Sequence, residues 1–179
     1  MSKTAMFPGV KSGETFTVAG VEFFRFAEKD GKVAVSTVEP LFRAPIGDCA
    51  DLRKSDILRR LNEEFLPKIV AELGEKNVCD FTTDLMTLDG LKTYGEIEGK
   101  ICLPTLRFYQ DNVDVYDKHK TGGWWWLATA WSAEPHYESE CFLCVSPSGD
   151  ISGNFCYRRS GVRPILIFDS SIFGSLEEK

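Results

Sequence analysis

Long apolar runs are missing from this sequence. No stretch approaches the roughly 18 consecutive apolar residues that a membrane-spanning helix needs, so no membrane partner is expected. Nor does a basic segment followed by an apolar one open the chain, so no signal peptide is expected and the expected location is the cytoplasm or a virion assembled there. Histidine is nearly absent, with only His119 and His136. Gly-x-Gly-x-x-Gly and P-loop patterns are absent, which removes the common nucleotide fingerprints. Basic charge is in deficit: 21 Lys and Arg against 27 Asp and Glu give a net charge of −6. A nucleic-acid partner would want a basic face, and none is expected.

Metal chemistry is short of ligands. Six cysteines are present, and Cys141-x-x-Cys144 is half of a zinc knuckle, but no second Cys-x-x-Cys or His pair accompanies it. Cys141-Phe142-Leu143-Cys144-Val145 reads as a strand, where a three-residue separation puts the two thiols on opposite faces. The cysteines are expected to be reduced and mostly buried. Neither metal nor cofactor is expected.

What is present is the pattern of an α+β protein. At 179 residues and 43% hydrophobic composition, the chain is long enough to bury a core without staples. Residues 1–14 read as an N-terminal arm and 15–179 as one domain, with 121–168 at its heart. Thr15 to Phe26 is rich in β-formers and split by Ala19-Gly20. Lys29-Asp30-Gly31-Lys32 is a turn before Val33 to Ser36. An irregular loop is expected between Pro40 and Pro45.

Ser55 is an N-cap for a long helix whose stripe is Ile57, Leu61, Phe65, Ile69 and Leu73, with Gly74 closing it. Pro67 predicts a kink or a break near Leu66. A strand is expected over Val78–Met86, a short helix over Asp89–Tyr94, another over Thr105–Gln110, and a loop over 111–123. Trp124 to Thr129, Phe142 to Val145, Ile151 onward and a last strand over Val162–Phe168 complete the list of strands.

Four pieces stand in one order: Ser55-Asp56-Ile57-Leu58-Arg59-Arg60-Leu61-Asn62-Glu63-Glu64-Phe65-Leu66, then Leu103-Pro104-Thr105, then Trp124-Trp125-Trp126-Leu127-Ala128-Thr129, then Gly161-Val162-Arg163-Pro164-Ile165-Leu166. Together they resemble a family of bacterial, gut-bacterial and bacteriophage proteins. That family is itself similar to C-type-lectin-like domains of the formylglycine-generating-enzyme type. The resemblance implies a C-type-lectin-like fold: small, twisted, mainly antiparallel sheets with one long and one or two short helices. In such domains a Trp-rich strand and a terminal Arg-Pro strand meet in a small twisted sheet. Where the family has Arg-Ser after Trp-Trp-Leu, this chain has Ala128-Thr129, so a contact made by that arginine is expected to be missing.

Function is read from the residues between those strands. In a strand, Trp124 and Trp126 share one face and Trp125 takes the other, so Trp125 is expected to be structural. Arg163 inside an apolar strand must find partners, loop carbonyls or a carboxylate such as Asp150 or Asp169. Both histidines are expected at the surface. Loops 129–140 and 150–161 mix rigid aromatics with small polar residues, the composition of recognition loops. Their candidate ligand-binding residues are Trp131, His136, Tyr137, Asn154, Tyr157, Arg158 and Arg159.

The expected function is a non-enzymatic binding or display module recognising a protein or glycan surface, with a homo-oligomer left open. Glu134-Pro135-His136 only half resembles a calcium-lectin motif, so no calcium-dependent sugar site is expected. One alternative is a redox or oxidase-like enzyme using Cys141, Cys144 or Cys156; another is a structural virion component.

Overall fold

A computed structural model describes residues 4–136 and 138–174. Strands β1 (Thr15–Val18), β2 (Val21–Lys29) and β3 (Lys32–Thr37) form a meander. Both of its turns are two residues long with positive φ throughout, Ala19-Gly20 and Asp30-Gly31. That geometry matches the twist of the flanking strands. The chain then makes a short strand, β4 (Phe42–Ala44), where an irregular loop was expected.

The apolar stripe folds as expected into a helical run, with an internal irregularity. Ser55 caps α1 (Asp56–Arg60) by accepting from the Ile57 N–H at 3.1 Å. A π-turn, Leu61–Phe65, follows, and α2 (Leu66–Leu73) ends at Gly74 in a positive-φ conformation. The run changes segment near Leu66 as expected but continues as helix: the π-turn ends at Phe65 and α2 starts at Leu66 with Pro67 in its first turn. Proline removes one N–H and crowds the carbonyl four residues back, and the wider π-turn stands directly before it. Ile57, Leu61, Ile69 and Leu73 are buried, while Arg59 pairs with Asp56 and Glu63 on the outer face.

Next come β5 (Phe81–Asp84), β6 (Glu96–Gly99) and β7 (Ile101–Cys102), then α3 (Leu106–Asp111) and α4 (Val113–Tyr116). Two expectations are corrected here. Asp89–Tyr94 is a turn, not a helix; Thr87 closes it, its hydroxyl accepting the Leu91 N–H while its own N–H donates to the Leu91 carbonyl, both at 2.9 Å. Residues 113–119 are helical, not loop, because Val115 and Tyr116 turn inward to the core.

The last part holds β8 (Trp125–Ala130), β9 (Cys141–Val145), β10 (Ile151–Phe155), β11 (Ser160–Val162) and β12 (Ile165–Asp169). The single terminal strand expected over 162–168 is two strands in two sheets. Pro164 has no N–H to continue a ladder, and the chain crosses at Arg163-Pro164. One five-stranded sheet has the order β1-β2-β3-β12-β7, the other β10-β9-β8-β11-β4, and β5-β6 form a two-stranded ribbon. All pairings are antiparallel except β8 with β11. The protein is therefore α+β, mostly strand, with short helices and curled antiparallel sheets.

Two apolar clusters fill the interior. One joins Phe23, Leu61, Ile69, Trp126, Phe142, Cys144, Phe168 and their neighbours. The other joins Phe24, Phe26, Tyr109, Tyr116, Trp125, Leu127, Leu143 and Val145. Trp125 and Trp126 thus serve opposite faces of β8, as alternation requires. Arg163 lies between three rings, its guanidinium 5.2 Å from Phe24, 5.5 Å from Tyr116 and 5.0 Å from Trp125. It donates to the carbonyls of Thr37 at 2.8 Å and His119 at 2.6 Å. Its partners are carbonyls, not Asp150 or Asp169. Residues before β1 are tied down: the Phe7 N–H donates to Ile172 O at 2.8 Å, and its ring packs on Phe16 and Phe173.

Candidate functional site

Strand β10 places the surface residues that matter most. It lies at the edge of its sheet, paired only with β9 among the described residues. Hydrogen bonds at its two ends, Ser146 N–H to Asp150 O and Cys156 N–H to Glu140 O, both 2.8 Å, fix the phase of the ladder. In an antiparallel pair this phase turns the N–H and C=O of residues 151, 153 and 155 outward. Phe155 is satisfied locally, by Asn154 Oδ1 and by the Arg158 N–H. Ile151 and Gly153 present an open backbone edge.

Aromatic side chains crowd that edge. Ile151, Gly153 and Phe155 share one side of the strand with Val145, Leu143 and Cys141. Trp131, whose N–H bonds to Cys141 O at 2.9 Å, lies across Gly153; a Cβ there would sit 2.8 Å from the indole. Phe155 and Tyr157 stack with centroids 5.2 Å apart and planes within 7°, and the Arg158 guanidinium lies 5.9 Å from the Tyr157 ring. Trp131, Phe155 and Tyr157 are 38%, 43% and 52% exposed. Large rings held this open, rather than folded inward, make a small apolar patch with a cationic end.

The residues expected to bind therefore separate into three groups. Trp131, Tyr157 and Arg158 belong to this aromatic edge. Asn154 and Arg159 line a different, smaller cavity with Arg43, Trp124 and Ser160. His136 sits in the 131–136 loop beside a shallow cavity of about 460 Å³ that also touches Glu138, Cys141 and Phe155. That loop is moored by Asp89, which accepts from Ser132 Oγ at 2.6 Å and Thr87 Oγ1 at 2.5 Å. These bonds, Ser132's first, hold the Asp89 carboxyl below its ordinary range. Tyr137 lies outside the described residues. Phe155, Trp124, Arg43 and Ile151 were not anticipated. The alternation of β10 could have pointed to Ile151 and Phe155, but nothing in the sequence brings Arg43 here, because β4 was not legible.

His119 is not a surface histidine. It stacks on Phe24 at 4.4 Å, and its Nε2 lies 2.7 Å from Gly13 O. The Thr129 hydroxyl accepts the Leu106 N–H at 3.0 Å.

The thiols are held protonated. Cys141 and Cys144 point to opposite faces of β9, and Cys141 donates to Glu138 at 3.0 Å. Burial, aided by Glu138, pushes the Cys141 thiol up to about 12, and burial raises Cys144 to about 11 and Cys156 as well. Nucleophilic cysteines need the opposite shift. Among the described residues no three His, Cys, Asp or Glu side chains gather as a metal set, and no helix is long and apolar enough to cross a membrane. Comparison with protein-family models, with curated proteins and with solved structures returns no match.

Proposed function

We propose that this chain is a non-enzymatic binding module of C-type-lectin-like architecture, carried by a phage or a bacterium, that captures an extended acidic protein segment along the β10 edge. The observation that carries the reading is the open backbone of Ile151 and Gly153 flanked by the exposed rings of Trp131, Phe155 and Tyr157. A peptide adding to such an edge gains main-chain hydrogen bonds from the strand and specificity from side-chain contacts beside it. Natural edges are usually blunted by lysine, proline or a covering element; β10 carries no lysine or proline, and among the described residues no strand pairs with its outer edge. Arg158, unpaired with any carboxylate among the described residues, favours acidic side chains in the partner. The parallel contact of β8 with β11 at Trp125 and Gly161 supports the lectin-like architecture, since there the tryptophan strand meets the strand leading into Arg163-Pro164.

The test is selection from a displayed library of random linear peptides. The expected winners alternate apolar residues with Asp or Glu and compete with one another. Their affinity should drop about tenfold or more in Trp131→Ser, the loss typical of a central aromatic contact. It should also drop in Gly153→Pro, which removes an edge N–H. Winners indifferent to both changes, or binding on a glycan array with none on peptides, would overturn the reading.

A further inference from the structure

On the other side of β10 the chain builds a second site. Asn154 alternates away from the aromatic row and faces a cavity of about 170 Å³ lined by Arg43, Arg159, Trp124 and Ser160. Two cations stand together here without a counter-charge. Arg159 Nη2 donates to Arg43 O at 2.8 Å and Arg43 Nη2 to Arg159 O at 3.4 Å. The reciprocal pair fixes both guanidiniums while leaving most of their donors free, since each carries five. Neither forms an ion pair among the described residues, in a protein of net charge −6. Among the described residues no carboxylate lines the cavity.

A second observation is independent of charge. Ser160 is 1% exposed and its hydroxyl has no hydrogen-bond partner. A buried hydroxyl left without a partner is costly and rare, and this one belongs to a residue that borders the cavity with the two arginines. Trp124, 41% exposed, completes the wall. Gly161 permits the closeness, because a Cβ there would lie 2.8 Å from Pro40 and 3.1 Å from Trp124 O.

From this geometry we infer that Arg43, Arg159, Ser160 and Asn154 form a binding site for one tetrahedral oxyanion, a phosphate or sulfate group, with Trp124 as a platform for whatever carries it. Fork-shaped guanidiniums match such oxygens, and a small shift of the Ser160 side chain toward the cavity would give its hydroxyl the acceptor it lacks. The cavity is small for a whole organic ligand, which usually takes several hundred Å³, but has room for one anionic group. The site stands apart from the peptide-binding proposal and does not rest on it.

The experiment follows the Trp124 indole and arginine side-chain N–H resonances by NMR while the intact protein is titrated with inorganic phosphate, sulfate, acetate and phenyl phosphate. Saturable shifts with phosphate and sulfate are expected, with dissociation constants on the order of millimolar, and acetate should bind more weakly. Phenyl phosphate binding about threefold or more tighter than phosphate assigns the site to a monoester stacked on Trp124. Equal affinity assigns it to the free ion; both outcomes uphold an oxyanion site. Arg43→Gln and Arg159→Gln should each weaken phosphate about tenfold, Ser160→Ala less, and Lys68→Gln, on the outer face of α2, not at all. Arg43 and Arg159 are exposed, so thermal midpoints should hold. Absence of saturation, or identical shifts in the Arg43→Gln/Arg159→Gln double variant, would overturn the inference. Peptide binding lost with phosphate binding intact would remove the edge reading alone, and the converse would remove this site alone.

Discussion

Arg163 shows what one residue can decide. Its guanidinium is buried among Phe24, Tyr116 and Trp125 and bonded only to carbonyls. Those carbonyls belong to β3 and to the segment after α4, so one side chain ties three distant parts of the chain at the point where it leaves one sheet for the other. That a buried arginine must be partnered was legible in the sequence. That its partners are carbonyls was not, because Thr37 and His119 come near it only through tertiary folding. His119 was misjudged for the same reason: lysine neighbours suggest a surface, and only the fold sets its ring on Phe24. Replacing Arg163 by Lys keeps a charge but loses the planar fork that reaches two carbonyls and lies flat between rings. The expected cost is about 2–3 kcal/mol, which for a chain of this size lowers the thermal midpoint by roughly 5–10 °C. Calorimetry of Arg163→Lys checks this, and an unchanged midpoint would show the cation to be dispensable.

Among the elements, legibility followed periodicity and failed where periodicity was short or interrupted. The four-residue apolar repeat announced the helical run, and the two hairpin turns announced the meander. Strands β4 and β6 were missed because three or four residues, half of β6 being glutamate, are too few for an alternation to be read as a strand. The terminal run was read as one strand because Val162 to Phe168 is apolar almost throughout, and the change of sheet occurs at its two least apolar members. The candidate site was half legible: loop composition found Trp131, Tyr157 and the arginines, while the strand that unites them, β10, supplied Ile151 and Phe155 unannounced. Gly153 is the element's hinge of meaning, since Trp131 occupies the space of its missing side chain. Gly153→Val should therefore leave the fold standing, valine being a good strand former, while lifting Trp131 off the strand. Quenching of tryptophan fluorescence by acrylamide should rise relative to wild type, and peptide binding should fall with it. A quenching constant unchanged by the valine would place the indole elsewhere.

At the scale of the whole molecule, the thiols set a limit on the alkaline side. Cys102 is almost wholly buried, and burial raises its thiol from its ordinary 9.0 to about 11. Cys144 is raised likewise to about 11 and Cys141 to about 12. A thiol that holds its proton more tightly when folded gives its full contribution below pH 9. Above that pH the unfolded chain releases protons that the folded chain keeps, so stability falls with rising pH until the folded pKa is passed. For Cys102 alone the loss amounts to about 1.4 kcal/mol at pH 10. Arg163 acts in the opposite sense: desolvation lowers it to about 10, so only above that pH does the folded state shed a proton that the unfolded state retains, and stability gains. Between pH 9 and 10 the thiols dominate. Urea denaturation under reducing conditions should thus show a midpoint falling steadily from pH 8.5 to 10, and Cys102→Ala, less stable at pH 8 for the volume it gives up, should fall less steeply across the same interval. Parallel slopes for the two proteins would mean that the Cys102 thiolate is as well accommodated folded as unfolded.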